Sequence, residues 1–475
     1  MNWSRIVSAG FALCLGSVAF ASQADAANID RHTEDLFHRS GLTGLAVAVV
    51  HGDATVYARG FGADSNGGTV TSDTLFILGS TSKSFTALGI LQLAEAGRIG
   101  LDDPAARYLP GFLRNAPPQR GVTVRMLLNQ VSGISHEAGD QPVISAGESG
   151  TAAIRDFAWS LDAASFDRAP GESYEYSNAN YVVLGAIIEA VSGTHYADYV
   201  RTRIFLPLGM AHTQASLAPG LARGHKQFFG HNYVSDLPYP EGFVPAGFII
   251  SSANDLAKYL SAQLPSSPSA RKLGISDAGI ALWHKGTVTI DAGGKSHYAM
   301  GWATDTFNGV PVIWHSADTG VFSSEFTLEP KGRWGVVVLA NGSGWLAQDY
   351  LQELSSGIVN MEVGRTPRDD TAIHRVVLAI YFAVLAMPLL QLLALWLMRK
   401  RKAGWFGRTW PVILHAIVAA GLLVALPRMV FGIPCAELLT SFSDMGLAAI
   451  LSGVLAVVAL AKALRRNAAD HAGFG

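Results

Sequence analysis

Three apolar runs crowd the last hundred residues of this 475-residue chain, and they limit what it can fold into more than any other feature. Val376 to Met398 is apolar apart from Gln391, with Pro388 placed to kink it. Trp410 to Phe431 is broken only by His415 and Arg428, and Met445 to Ala461 is the third run. A helix needs about 17–25 such residues to cross a bilayer. Three in succession are expected to be transmembrane helices rather than buried soluble ones. Composition agrees, because charged residues are 15% of the chain, against ~25% in ordinary soluble domains. Gln391 and His415 are expected near span ends or at interhelical positions, where polar groups in lipid find partners.

Basic residues set the orientation. Arg399, Lys400, Arg401, Lys402 and Arg408 lie between the first two runs, and Lys462, Arg465 and Arg466 follow the third, whereas Gly432 to Asp444 has no Lys or Arg. The positive-inside rule places the first connection and the C-terminus in the cytoplasm and everything before the first run outside. The other end of the chain gives the same answer. Arg5, the apolar stretch Ile6 to Phe20 and the small residues Ala24-Asp25-Ala26 read as a secretory signal over residues 1 to 26. The expected organisation is therefore a signal peptide (1–26), an exported domain (27–364), a linker (365–375), spans at 376–398, 410–431 and 445–461, and a cytoplasmic tail (462–475). The inner membrane, with the large domain in the periplasm, is the expected location.

Several classes are excluded. A formal net charge of −2 leaves no dense basic surface for nucleic acid. Only Cys14 and Cys435 are present, and the first lies in the leader, so no internal disulfide or thiolate zinc site is expected. Nor is there a Gly-x-Ser-x-Gly elbow, a His-Glu-x-x-His pair or a Walker loop. Neither cofactor nor metal is expected, and nothing indicates the oligomeric state.

Within the exported domain, Thr43 to His51 and Ala54 to Phe61 are β-rich runs joined by Gly52-Asp53, a hairpin pattern. Phe76 to Ser80 leads into a helical pattern from Thr81 to Ala96 that stops at Gly97. Helical stretches follow at Val124 to Asn129, Asn180 to Val191 and Leu256 to Leu264. Strands return at His297 to Ala303, Pro311 to His315, Phe322 to Leu328 and Trp334 to Ala340, before a helix from Trp345 to Ile358. Strands at both ends with helices between them predict an α+β unit: an antiparallel sheet, flanking helices and an inserted helical lobe, with a cleft between sheet and lobe.

Chemistry concentrates in three places. Ser80-Thr81-Ser82-Lys83 is a Ser-x-x-Lys at the start of a helix, where positions i and i+3 share a face and the Lys83 amine can reach the Ser80 hydroxyl. Free N–H groups of that first turn favour developing negative charge. Tyr176-Ser177-Asn178 supplies a phenol able to relay protons and an amide able to position Lys83 or a substrate, and Ser177 or Asn178 can also cap the helix that follows. Trp314-His315-Ser316-Ala317-Asp318-Thr319-Gly320 ends a strand, where backbone N–H groups can complete an oxyanion hole. A lone strand-end histidine would otherwise read as structural.

Together, Ser-x-x-Lys, Tyr-x-Asn and a strand motif of the Lys-Thr-Gly type resemble the serine β-lactamases and penicillin-binding proteins. The likeness is to the branch of class C β-lactamases, D-Ala-D-Ala carboxypeptidases, D-aminopeptidases and related esterases, over roughly residues 30 to 360. Supporting phrases are Leu101-Asp102-Asp103-Pro104 with Tyr108-Leu109-Pro110, Leu127-Leu128 with Ser132-Gly133-Ile134, and Ser252-Ala253-Asn254-Asp255-Leu256. The resemblance implies Ser80 as acylated nucleophile, Lys83 and Tyr176 as the proton-transfer pair, Asn178 as a positioning group, and the amides of Ser80 and Asp318 as oxyanion donors. His315 would face the acyl product or the substrate carboxylate. Three departures stand out: Ala317 replaces the third-position glycine of the strand motif, Gly320-Val321 a usual Pro-Gly, and His315 a lysine. The last weakens the case for a vigorous β-lactamase.

An exported domain of this kind fused to three membrane helices resembles the peptidases that mature nonribosomal-peptide prodrugs, of the colibactin-activating type. That implies a small peptide or acyl-D-amino-acid substrate, with membrane lipid around the helices. A cell-wall carboxypeptidase, an esterase, a weak β-lactamase and a non-catalytic ligand sensor are the alternatives. His225, His231 and Asn232 are candidate cleft-lining residues, with surface loop positions as the rival reading.

Overall fold

The computed structural model describes residues 25–139, 152–291, 293–367, 371–400, 405–425 and 443–472. The expected leader lies outside them except for Asp25 and Ala26, as do Arg401, Lys402, the end of the second apolar run from residue 426, and the connection 432–442.

An eight-stranded antiparallel sheet organises the chain. β1 (Gly44–His51) and β2 (Ala54–Gly62) form the hairpin, turning at Gly52 with φ +55. A two-stranded ladder, β3 (Phe76–Ile77) with β6 (Ile250–Ser251), and a small hairpin, β4 (His225–Phe228) with β5 (His231–Val234), lie apart from it. The remaining strands are β7 (Val288–Thr289), β8 (His297–Ala299), β9 (Trp302–Phe307), β10 (Val310–Asp318), β11 (Ser323–Glu329) and β12 (Trp334–Ala340). The order is β2-β1-β12-β11-β10-β9-β8-β7, so the two chain-distant halves join where β1 pairs with β12.

Both faces of the sheet centre are covered, which is why β1 and β12 read as almost continuous apolar runs rather than alternating ones, and why every residue of β11 is buried although its sequence alternates polar and apolar positions. One face, with Ala46, Ala48, Phe326 and Leu328, packs on α4 (Ala253–Ala262) and shares one apolar core with α2 (Lys83–Glu95) and α3 (Asn178–Ser192). The other, with Val47, Val49, Val336 and Val338, packs on α1 (Ala26–Ser40) and α5 (Trp345–Glu362). Each of these valines, leucines and phenylalanines contributes roughly 1.5–3 kcal/mol by leaving water. The expected α+β architecture is present.

Details differ from the sequence reading. The helix expected from Thr81 begins as a 3₁₀ turn, Gly79–Ser82, before α2, and Gly97 ends it with φ +70. His297 to Ala303 is two strands, because Gly301 (φ +78) turns the chain there. Ser177 occupies the cap position of α3, but its hydroxyl donates to Ser135 O at 2.8 Å instead of capping.

After the α+β unit come α6 (Thr371–Lys400), α7 (Trp405–Ala420) and α8 (Ser443–Ala472). Three spanning helices were expected. Among the described residues two are long and apolar enough, over Leu378–Leu397 (20 residues) and Asp444–Arg465 (22 residues). The middle one is apolar only over Val412–Ala425 within the described residues. Gln391 and His415 do sit between helices. The His415 ring donates to Gln391 O at 3.1 Å, and the Gln391 amide donates to Ser452 O at 3.4 Å.

Candidate active site

Gly79 decides where Ser80 stands. Its φ of +61 suits glycine, and a Cβ built there would lie 2.8 Å from Ala317 Cβ and 3.1 Å from Thr319 Cγ2. The bare backbone therefore lets the 3₁₀ turn press against the end of β10. The Asp318 amide nitrogen lies beside the same turn, 3.7 Å from that Cβ position.

One turn on, Lys83 is fully buried at the start of α2. Its Nζ donates to Ser80 Oγ at 3.0 Å, Asn178 Oδ1 at 2.6 Å and Ala246 O at 2.7 Å. Three acceptors match the three protons of an ammonium group and hold the amine in one place. Asn178 comes from the first turn of α3 and Ala246 from the short helix Val244–Gly247, so three distant segments meet at one nitrogen.

Tyr176 lies over this amine, its ring centre 5.0 Å from Lys83 Nζ, with Tyr181 on another side at 5.7 Å. The ring centres of Tyr298 and His315 are 6.3 and 6.5 Å from that of Tyr176, closing an aromatic wall. Burial pushes the Tyr181 and Tyr298 phenols well above their ordinary range, so both stay neutral. His315 is pushed down to about 4, first by burial and then by the Lys83 charge. It is neutral at pH 7. Its Nδ1 donates to Ser316 O at 2.7 Å, which leaves Nε2 as the acceptor.

The Asp318 carboxylate turns away from this cluster. It accepts from Gly320 N at 2.5 Å, Ser343 Oγ at 2.6 Å and Gln348 Nε2 at 3.1 Å. Of the expected residues, Ser80, Lys83, Tyr176, Asn178 and His315 converge, and Asp318 adjoins through its backbone. His225, His231 and Asn232 belong elsewhere, on the β4–β5 hairpin. His225 is buried, with Nδ1 donating to Asn341 O at 2.7 Å, and the Asn232 amide donates to Gly41 O. Among the described residues no cluster of His, Cys, Asp and Glu is placed to hold a metal ion.

Several supporting residues escaped the sequence reading. His136 Nδ1 donates to Tyr176 O at 2.9 Å. Gln130, in the left-handed region at φ +60, accepts from Ser177 N at 3.1 Å and from the Asn180 amide. Ser132 Oγ donates to Asn180 Oδ1 at 2.5 Å. These bonds fix the entry to α3 and so the separation of Tyr176 from Asn178. The phrase Leu127-Leu128 with Ser132-Gly133-Ile134 was the only available signal, and it does not reveal which atoms bond.

Residues 29–354 match the family model described as Beta-lactamase. The chain belongs to the beta-lactamase family. It is similar to Protein flp of Staphylococcus aureus (strain N315), 26% identical over 425 residues that cover 85% of this chain and 83% of that protein. The unguisins hydrolase ungD' of Aspergillus campestris (strain IBT 28561) is 31% identical over 343 residues, 67% of this chain and 61% of its own. Among solved structures, the D-amino acid amidase from Ochrobactrum anthropi SV3 superposes with a TM-score of 0.60 at 25% identity, covering 70% of this chain and 97% of that one. This beta-lactamase-family chain is a serine hydrolase by fold and by relatives.

Proposed function

We propose that this protein is a membrane-anchored periplasmic peptidase that cleaves an amide next to a D-amino acid through a Ser80 acyl-enzyme. The observation that carries the reading is the convergence of Ser80 Oγ, Asn178 Oδ1 and the Tyr176 ring on Lys83 Nζ. Ser80 Oγ attacks the substrate carbonyl, and its proton passes through the Lys83–Tyr176 pair to the leaving amine as the C–N bond breaks. The amides of Ser80 and Asp318 hold the oxyanion. Water then attacks the acyl ester, gives its proton to the same pair, and restores the Ser80 hydroxyl.

The neutral His315 bears on substrate choice. A β-lactam presents a carboxylate that prefers a fixed cation at this strand position, and an uncharged acceptor suits an amide N–H instead. Similarity to a D-amino acid amidase supports the D-residue, and the two long apolar helices support the anchor, with α6 entering the membrane from the periplasmic side.

Two measurements test this. A fluorophosphonate probe is expected to label the protein and fail to label Ser80→Ala; persistent labelling of the variant excludes Ser80 as nucleophile. In a panel of N-acyl-D-Asn amides, D-Ala-D-Ala peptides, short esters and nitrocefin, the D-amides are expected to show the highest kcat/KM. Preference for nitrocefin or D-Ala-D-Ala peptides would overturn the substrate assignment.

A further inference from the structure

The β4–β5 hairpin touches both the catalytic unit and the apolar helices through hydrogen bonds of its own backbone. At its base, Ser343 N donates to His225 O at 3.1 Å and Gln227 N to Ser343 O at 3.2 Å. Ser343 Oγ in turn donates to the Asp318 carboxylate at 2.6 Å, on the strand end beside Ser80. At its tip, Phe229 N donates to Asp444 Oδ2 at 2.9 Å, and the Tyr381 hydroxyl donates to the same carboxylate. Asp444 opens the apolar stretch Asp444–Arg465, and Tyr381 lies one turn into Leu378–Leu397. Asp444 is the second residue of α8, and Tyr381 lies where the apolar part of α6 begins. The tip therefore sits level with the boundary where each helix becomes apolar.

The tip is built of the wrong residues for a water-exposed turn. Phe228 pairs with His231, and Phe229 and Gly230 between them have φ +49 and +76, a type I′ geometry. Asn or Asp ordinarily fills the first of these positions, and a bulky aromatic is strained there. Phe229 nonetheless is 49% exposed, with Tyr233 at 55% and Val234 at 43%. The Phe228 and Phe229 rings lie 4.7 Å apart and Phe228 to Tyr233 6.5 Å, one aromatic cluster. Lys226 faces Tyr233 in the register, putting a cation next to it. Aromatic rings with a neighbouring lysine are what the headgroup region of a bilayer accommodates.

We infer that the hairpin is a strut whose aromatic tip dips into the phospholipid headgroup layer and whose base holds the Asp318 strand end at a fixed height above it. Four residues per strand make the strut about 13 Å long. The partner is the lipid surface, and the inference rests on reading α6 and α8 as membrane-spanning.

The full chain, with Cys14 and Cys435 replaced by serine, carries a single spin-labelled cysteine at Phe229→Cys, Tyr233→Cys or, as the control inside α6, Leu393→Cys. Each is reconstituted in vesicles of phosphatidylcholine with phosphatidylglycerol, and collision with oxygen and with an aqueous nickel chelate is measured. Fluorophosphonate labelling of Ser80 reports an intact catalytic unit in every variant. Deep placement at 393 with shallow lipid placement at 229 and 233 is the expected result. Lipid at 393 with water at 229 and 233 overturns the strut while leaving the membrane reading intact. A label at 229 shielded from both reagents is packed against protein, which also overturns it. Water at 393 overturns the membrane reading, and the strut with it.

Discussion

At the residue scale, Lys83 carries the most consequences. Its three acceptors are all spent on one nitrogen, so Lys83→Met is expected to lower kcat by roughly 10²–10⁴-fold, the span typical of a lost proton-transfer group. The same change leaves Asn178 Oδ1 and Ala246 O without this donor, and a thermal melt should show a loss of about 1–3 kcal/mol. An active Lys83→Met enzyme would contradict the proton-transfer role. His315 offers a second test. Below about pH 4 it gains a charge next to Lys83, so kcat/KM should fall there and stay flat with respect to this group from pH 5 to neutrality. In His315→Gln that acid limb should vanish, and in His315→Lys hydrolysis of nitrocefin should rise relative to the amide.

At the element scale, the 3₁₀ turn pressed on β10 sets the geometry that the motifs need. Gly79→Ala adds a methyl 2.8 Å from Ala317 Cβ at a backbone angle that L-residues avoid. Overpacking of this kind costs about 1–3 kcal/mol. The expected outcome is a lower melting temperature together with a lower kcat, partly restored by Ala317→Gly in the same chain. A Gly79→Ala enzyme with unchanged kcat would show that the turn does not position Ser80. Helix periodicity located α2 but not this turn, because a 3₁₀ segment of four residues is too short to leave a periodic trace. The split of β8 from β9 has a similar cause. A Cβ on Gly301 would stand 2.8 Å from Ser84 N, so the turn exists to let another element approach, and the strand sequence around it stays apolar and unbroken. The β4–β5 hairpin was invisible for the opposite reason, since its strands are four residues long and mostly polar.

At the scale of the whole molecule, buried titratable groups set an acid limit. His32 and His315 are held near about 4 and His284 near about 3, in each case chiefly by burial. The unfolded chain binds protons on these rings below about pH 6.5 while the folded chain does not, so stability falls as pH drops from there toward 4. Glu325 works in the other direction. It is buried on β11, on the α5 side of the sheet, and desolvation raises it to about 7 against a weaker opposing bond from Ser355. Folded, it keeps its proton; unfolded, it releases it above about 4.5, so its contribution is full below that pH and lost as pH rises through about 7. The displacement from 4.5 to about 7 corresponds to about 3 kcal/mol. Glu325→Gln should therefore raise the melting temperature at pH 8 and leave it nearly unchanged at pH 4.5. Equal shifts at both values would remove the titration argument.

What the linear chain determined by itself is whatever neighbours along the backbone enforce. Ser80 and Lys83 meet because three residues make about one helical turn, β1 and β2 form a hairpin because two β-rich runs flank Gly52-Asp53, and the described stretches of the last hundred residues are helical because their apolar runs are long. What folding alone decided is which distant atoms share a point. The carbonyl of Ala246 on the lysine, His136 behind Tyr176, the Asp318 carboxylate facing Ser343 rather than the cleft, and Phe229 meeting Asp444 all join segments separated by tens to hundreds of residues. Such contacts leave no periodic or compositional mark, because a hydrogen bond needs only one polar atom from each segment and the sheet order that brings them together is a property of the packed whole.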